Sequence, residues 1–211
     1  AIALHPESYG AVNCYNLKQR ILRPSIHMEI PSKMPSVRNA LAMVSVTNVD
    51  TLFFRIIDHV SDDYTSQEGR RKRLIKSVVR KEWSLYIGDR HDYLPRGLYF
   101  AIPPMAQGHY LLIASNNKSF DTIIDKVKLN VEDVAFVKGD AKQCSGFLVD
   151  RKSGEPIVGE EVKLQIQKSY GSKKEVLATT KTDRHGHFEF PNYSKKVKEA
   201  YYKWFLVNYK G

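Results

Sequence analysis

Apolar and polar residues alternate along much of the chain, and this two-residue period predicts β-strands because successive strand side chains point to opposite faces. The alternation is clear in residues 25–30, where Ile26, Met28 and Ile30 are separated by polar residues. Further strands are predicted at 41–47, 52–57, 83–87, 97–102 and 108–114. The polar residues 48–51 join two of these segments, and we expect that pair to form a β-hairpin.

A helical period of three to four residues is found near the start of the chain. In residues 10–22, Cys14, Leu17 and Ile21 fall on one face of the predicted helix. Arg23-Pro24 ends it, since a residue before proline is pushed out of the α region. We therefore expect Cys14 to be a small buried hydrophobic residue rather than a reactive thiol.

A second helix is predicted at about 65–80, inserted between strands. Thr65 and Glu68 have the spacing of a capping box, in which Thr accepts from a main-chain N–H of the first turn and Glu reaches back to the N–H of the capping residue. An apolar stripe follows at Leu74, Ile75, Val78 and Val79. The stripe is narrow, and we expect it to pack on one side of a β-sheet.

Short strands separated by turn residues continue to the end of the chain. Val162, Leu164 and Ile166 face one way in one strand, and Phe188 and Phe190 point inward from another. This spacing predicts an all-β fold of two immunoglobulin/prealbumin-like antiparallel β-sandwich domains. The predicted organisation is an N-terminal helical segment (1–23), a first sandwich with the inserted helix (24–127) and a second, smaller sandwich (128–211).

Composition and charge restrict the function classes. The chain has 211 residues, a net charge of +10 and two cysteines. Its basic residues are spread over both predicted domains, and the densest cluster, 70–73, lies within the helix pattern. A solvated surface is therefore favoured over a nucleic-acid partner.

No apolar run approaches the roughly 20 residues that span a bilayer, so we expect no direct membrane insertion. The chain starts at Ala1 and ends just after an apolar run, and we expect it to be a fragment of a longer protein.

Candidate catalytic and metal-binding residues are few. His185 and His187 beside Asp183 are zinc-ligand types, but they flank a glycine turn in which exposed polar residues are common. In the pairs His91-Asp92 and Asp58-His59, adjacent strand side chains point to opposite faces. The carboxylate pairs at 62–63 and 160–161 adjoin no predicted apolar pocket. We therefore predict no catalytic residue, metal site or cofactor, and no enzymatic activity.

Two features leave alternatives open. The aromatic residues near the end of the chain are Tyr201, Tyr202, Trp204, Phe205 and Tyr209. They are consistent with a carbohydrate-stacking face, but a strand packed into the sandwich or against a next domain is favoured. A disulfide between Cys14 and Cys144 stays possible, although the sequence gives it no geometric support.

The second half carries a familiar pair of motifs. Residues 150–164 read Asp-Arg-Lys-Ser-Gly-Glu-Pro-Ile-Val-Gly-Glu-Glu-Val-Lys-Leu, and residues 180–188 read Thr-Lys-Thr-Asp-Arg-His-Gly-His-Phe. The combination resembles a pattern of macroglobulin domains, prealbumin-like modules of carboxypeptidases and stalk modules of Gram-positive surface proteins. Residues 46–56 and 94–115 narrow this choice, since they look like the N-terminal macroglobulin domains of bacterial α2-macroglobulin-like proteins.

This resemblance implies a function. Such proteins are large cell-envelope proteins, periplasmic or surface-exposed, that trap proteases with a bait region and sometimes a Cys-Gly-Glu-Gln thioester. Neither Cys14 nor Cys144 is followed by that sequence. The resemblance therefore implies a non-catalytic scaffold, whose partners are neighbouring domains of the same longer chain and, for the whole protein, target proteases. The alternatives are a cell-surface glycan- or matrix-binding module and a regulatory β-domain appended to a hydrolase.

Overall fold

The computed structural model describes residues 5–59, 67–88, 92–139, 144–193 and 202–207. Within these residues the chain forms fourteen β-strands and two α-helices. It divides into a first unit, Ala1–Val131, and a second unit, Glu132–Gly211. The predicted all-β class, built from antiparallel β-sandwiches, is confirmed.

The first unit is an immunoglobulin-like sandwich of two sheets. Its three-stranded sheet has the order β1-β3-β6 and consists of β1 (Ser25–Glu29), β3 (Ala40–Thr47) and β6 (Arg96–Ile102). Its five-stranded sheet has the order β2-β8-β7-β4-β5 and consists of β2 (Lys33–Met34), β4 (Thr51–Asp58), β5 (Val79–Tyr86), β7 (Gly108–Ser115) and β8 (Asp125–Val131). All pairs are antiparallel except β2 with β8. The chain crosses between the two sheets after β1, β2, β3, β5 and β6, whereas β4-β5 and β7-β8 are neighbours within the five-stranded sheet.

The core of this sandwich lies between the inner faces of the two sheets. Alternate residues of β3 and β4, including Val44 and Phe54, are fully buried there. The Phe54 ring stacks on Trp83 and Phe100, with centroid distances of 5.1 and 4.7 Å. Burying one such side chain contributes about 1.5–3 kcal/mol, so this row of side chains is a main source of stability.

The predicted hairpin of residues 41–47 and 52–57 is wrong. Both segments are strands, but β3 pairs with β1 and β6, whereas β4 pairs with β5 and β7. The turn between them, with Asn48 at a φ of +55°, carries the chain from one sheet to the other. The reason is burial, because each strand has its own apolar face and both faces contribute to the same core.

The inserted helix α2 (Gln67–Lys76) packs on the outer face of the five-stranded sheet. Leu74 is buried there against Ile57, Leu111, Ile113 and Phe120. The predicted apolar stripe is too long, since the helix ends before Val78 and Val79; both are exposed, and Val79 begins β5. The predicted capping-box residue Thr65 and the side chain of Glu68 lie outside the described residues.

The N-terminal helix α1 (Tyr9–Leu22) forms as predicted, but its side chains are not buried as predicted. Ser8 caps it by accepting a hydrogen bond from the Ala11 N–H at 3.2 Å. Cys14, Leu17 and Ile21 are exposed, because no described residue covers the face that their spacing creates. The expectation of a buried Cys14 is therefore wrong.

The second unit is a smaller sandwich of two three-stranded sheets. One has the order β13-β10-β9, from β9 (Val134–Lys138), β10 (Gly146–Asp150) and β13 (His187–Phe188). The other has the order β12-β11-β14, from β11 (Glu161–Gln167), β12 (Glu175–Lys181) and β14 (Tyr202–Val207). The predicted inward residues are confirmed as buried; they are Val162, Leu164, Ile166, Phe188 and Phe190.

The division between the units falls four residues later in the sequence than the predicted one. Val127 lies in the middle of β8, which pairs with β7 over residues 125–131. The division after Val131 keeps that strand whole. The pairing of β8 with β7 therefore sets the boundary. The apolar alternation does not mark it, because the alternation continues on both sides.

Candidate functional site

The turn that contains the candidate zinc ligands is held together by Asp183. Its Oδ1 accepts hydrogen bonds from the N–H groups of His185 at 2.8 Å and His187 at 2.9 Å. These two bonds hold the pKa of the Asp183 carboxyl below its ordinary value of 3.8. Gly186 has a φ of +72°, and a Cβ at this position would lie 2.5 Å from the Leu148 main-chain oxygen, so the turn requires glycine here. The residues of this motif therefore serve the turn.

The two histidines of this turn have neighbours of their own. Nε2 of His185 lies 3.0 Å from Nε of Arg184, and the His187 ring packs against Phe147 at 4.9 Å. Within the described residues, no three His, Cys, Asp or Glu side chains form a group that could hold a metal ion. The structure thus does not bring these candidates together as ligands.

The other ionisable candidates lie in separate structural contacts. Asp58 binds Arg80 through both carboxylate oxygens at 2.8 Å, and this hydrogen bonding lowers the Asp58 pKa. His59 contributes its main-chain N–H to the His109 oxygen at 3.1 Å. Glu161 pairs with Lys163 at 2.9 Å, and Glu160 donates its N–H to Thr182 Oγ1. The candidates at His91 and residues 62–63 lie outside the described residues.

A shallow depression opens at one end of the first sandwich. Val49, Ile87 and Leu94 contribute to its lining, together with Asp92 and Arg96. The acid and the base are already joined, with Arg96 Nη2 donating to Asp92 Oδ2 at 2.8 Å. Because Asp92 and Arg96 bind each other, this depression does not present one acid and one base directed separately at a bound molecule.

The two cysteines are both free thiols, so the disulfide that the sequence left open is not formed. Cys14 is exposed on α1. Cys144 is buried beside the core of the second unit, and burial raises the pKa of its thiol above the ordinary value of 9.0. A buried, protonated thiol is a poor nucleophile, which makes Cys144 a packing residue.

The structure describes the side chains of only part of the basic cluster at 70–73. The described part of α2 includes Arg73 and Lys76 in its last turn, where positive charge is favourable near the exposed carbonyl groups. The side chains of Arg70 and Arg71 lie outside the described residues.

Neither described helix has the length and apolar character that a bilayer crossing requires.

The aromatic residues at the end of the chain separate onto two faces of β14. Phe205 points inward and contacts the rings of Phe188 and Phe190 at 5.1 and 6.1 Å. Tyr202 and Trp204, at alternate positions, share the outer face, with ring centroids 5.6 Å apart. Packing into the sandwich is therefore seen for Phe205. Tyr202 is 45% exposed and does not pack there, and its packing against a next domain stays a prediction. Tyr201 and Tyr209 lie outside the described residues.

Comparison with known proteins yields only distant structural similarity. No protein-family model and no curated protein matches the chain. A crystal structure of the CARDB domain of a Pyrococcus furiosus protein in complex with di-metal ions aligns with a TM-score of 0.30 and 12% identity, over 52% of this chain and 88% of that one. A solution structure of the same domain aligns with a TM-score of 0.27 and 15% identity, over 51% of this chain and 93% of that one. At these values the similarity assigns neither a family nor an activity.

Proposed function

We propose that the chain is a non-catalytic scaffold of a large α2-macroglobulin-like, protease-trapping protein of the bacterial cell envelope. The observation that carries this proposal is that each unit encloses an apolar core of its own, one around Phe54 and one around Phe188. Such units suit a serial array of β-sandwich modules. The motifs at 150–164 and 180–188, which resemble macroglobulin sequences, lie in strands and turns of the second unit, among them most of β11 and all of β13.

The contacts of the ionisable groups support a structural role. Asp183 binds main-chain N–H groups, and Asp58 binds Arg80. The buried carboxylate of Asp133 meets the ammonium of Lys152 at 2.9 Å. A buried charge requires a partner, and a carboxylate engaged in this way holds a loop in place.

The exposed apolar side chains of α1 fit a partner within the same longer chain. Leu17 is 51% exposed and Ile21 is 46% exposed, on the same side of the helix. Removing apolar area from water contributes roughly 25 cal/mol per Å², so covering this side by a neighbouring domain would stabilise the assembly. The target proteases would interact with the assembled protein rather than with these two units.

A comparison between this chain and its longer parent protein tests the proposal. Leu17→Asp and Ile21→Asp should lower the melting temperature of the longer protein while leaving that of the 211-residue chain nearly unchanged. Gln19→Asp adds the same charge at an exposed position across the helix and should affect neither. Equal effects of all three variants would contradict a docking role for this side of α1.

A protease assay tests the functional part. The 211-residue chain, incubated with trypsin or subtilisin at equimolar ratio, should leave cleavage of a protein substrate unchanged, whereas the longer protein should reduce it. Stoichiometric inhibition by the short chain would overturn the scaffold proposal. Failure of the longer protein to inhibit any protease would overturn the protease-trapping part.

A further inference from the structure

The outer face of the sheet β12-β11-β14 carries an aromatic pair beside both polar residues and two exposed apolar ones, Val176 and Leu206. Phe205 and Val207 face the core, so the alternation along β14 places Tyr202 and Trp204 on the other side. Their rings are 5.6 Å apart and inclined by 36°. Two neighbouring rings on an open sheet form a platform rather than a pocket.

Polar side chains border this platform in a fixed register. Gln165 of the central strand lies opposite Trp204, and Lys163 lies opposite Leu206. Gln165 provides two amide donors and an acceptor, and it is half-buried. Nζ of Lys174 lies 5.0 Å from the centroid of the Trp204 ring. A stacking surface, an amide and a cation therefore meet within one patch.

We propose that this face binds an acidic glycan, with a sugar ring stacked on Trp204 and its acidic group paired with Lys174. Aromatic faces carry partial negative charge and attract the polarised C–H face of a sugar ring, while Gln165 is placed to bond hydroxyl groups. Any sugar that stacks on this ring face must displace the ammonium of Lys174 from it. An acidic sugar offsets the lost cation–π contact with an ion pair to the same ammonium and a neutral sugar does not, so the arrangement favours acidic ligands.

Binding of defined hexasaccharides to the 211-residue chain tests the proposal. Trp83 and Trp204 are the two tryptophans of the chain, so fluorescence of a Trp83→Phe variant reports on Trp204 alone. A galacturonate hexamer and a heparin hexasaccharide distinguish carboxylate from sulfate as the acidic group, and maltohexaose is the neutral control. At least one acidic probe should bind saturably with a Kd of about 1 mM or tighter, and maltohexaose at least about tenfold more weakly. No saturable binding, or equal binding of the neutral probe, would overturn the proposal.

Variants distinguish a specific binding site from general electrostatic attraction to a basic protein. Trp204→Ala and Lys174→Ala should each weaken binding by about tenfold, measured by calorimetry, and Gln165→Ala should weaken it by a smaller factor. Lys118→Ala and Tyr99→Ala remove an exposed lysine and an exposed tyrosine from the first unit and should change the Kd less than about twofold. Equal losses with Lys174→Ala and Lys118→Ala would show charge attraction alone and refute the site. If Trp204→Ala fails to fold by circular dichroism, Lys174→Ala and Gln165→Ala decide the outcome.

Discussion

The side chain of Asn48 donates a hydrogen bond to the main-chain oxygen of Ile21 at 2.5 Å, and it also reaches the Arg23 oxygen at 3.3 Å. Carbonyl groups at the end of a helix have no partner within the helix, so Asn48 satisfies the last turn of α1. It does so from the turn between β3 and β4, at a φ of +55° that asparagine tolerates better than most residues. One residue therefore both shapes a crossing between sheets and holds the end of α1.

Substitution of Asn48 should separate these two roles. Asn48→Ala loses the hydrogen bonds and also strains the backbone, and we expect it to destabilise the first unit by about 1–3 kcal/mol. Asn48→Gly loses the same bonds without the strain, and the cost should be smaller by about 1 kcal/mol. Urea unfolding of both variants measures the difference. Equal losses would show that the backbone conformation carries no cost.

Gly186 should be far less tolerant of a side chain than Gly154. Both have positive φ, +72° and +78°. A Cβ at Gly186 would lie 2.5 Å from the Leu148 oxygen, whereas at Gly154 nothing lies within 4 Å. Gly154→Ala should therefore cost about 1–2 kcal/mol, from the left-handed backbone alone. Gly186→Ala should cost clearly more, because the Leu148 strand must move as well. Thermal unfolding of the second unit provides the comparison.

Acid should weaken the Asp183 turn. Because the folded pKa lies below the ordinary value of 3.8, the carboxylate stabilises the fold above about that pH and loses this effect as the pH falls through the folded pKa. Asp183→Asn should make the melting temperature of the second unit less sensitive to pH between neutral and strongly acidic conditions. Glu155→Gln, at an exposed position of the same unit, is the control and should keep the wild-type profile.

The two units should respond separately to core mutations. Phe54 and Phe188 are almost fully buried, each in a different core, and truncation to alanine should cost about 3–5 kcal/mol in each case. Trp83 belongs to the first unit and Trp204 to the second, so single-tryptophan versions report each unfolding transition. We expect Phe54→Ala to shift the Trp83 signal and Phe188→Ala to shift the Trp204 signal. A common shift of both signals would contradict separate cores.

The two thiols should differ in reactivity. Cys14 is exposed, whereas burial raises the pKa of Cys144 and lowers its thiolate fraction. At pH 8, Ellman's reagent should modify one thiol rapidly and the second only after denaturant is added. Cys14→Ser should remove the rapid phase, and Cys144→Ser should remove the slow one. Rapid modification of both would show that Cys144 is accessible in the folded protein.

Local patterns in the sequence predicted most strands and their buried faces. Val162, Leu164 and Ile166 alternate with polar residues, so their inward direction follows from the two-residue period. The assignment of β3 and β4 to opposite sheets did not follow, because an alternating strand can pair with any neighbour that buries the same face. Burial of the inserted helix was predicted from its stripe, but its end was not, since Val78 and Val79 suit a strand equally well.

The candidate site was harder to predict than the fold. Along β14 aromatic residues occur in both sets of alternate positions, so periodicity alone does not tell Phe205, which is inward, from Trp204, which is outward. The partner strand decides, because Gln165 lies beside Trp204 and Leu164 beside Phe205. Such a distinction depends on contacts between residues far apart in the sequence.

The position of β7 between two apolar layers affects how well the strand tolerates the deletion of a single residue. Residues 110–115 are all buried, with Leu112 facing the main core and Ile113 facing the layer under α2. In a strand with one solvated face, deleting a single residue exchanges core and surface side chains. In β7 the same deletion would exchange one apolar row for another, so the strand could keep its pairing while the two layers repack around altered volumes.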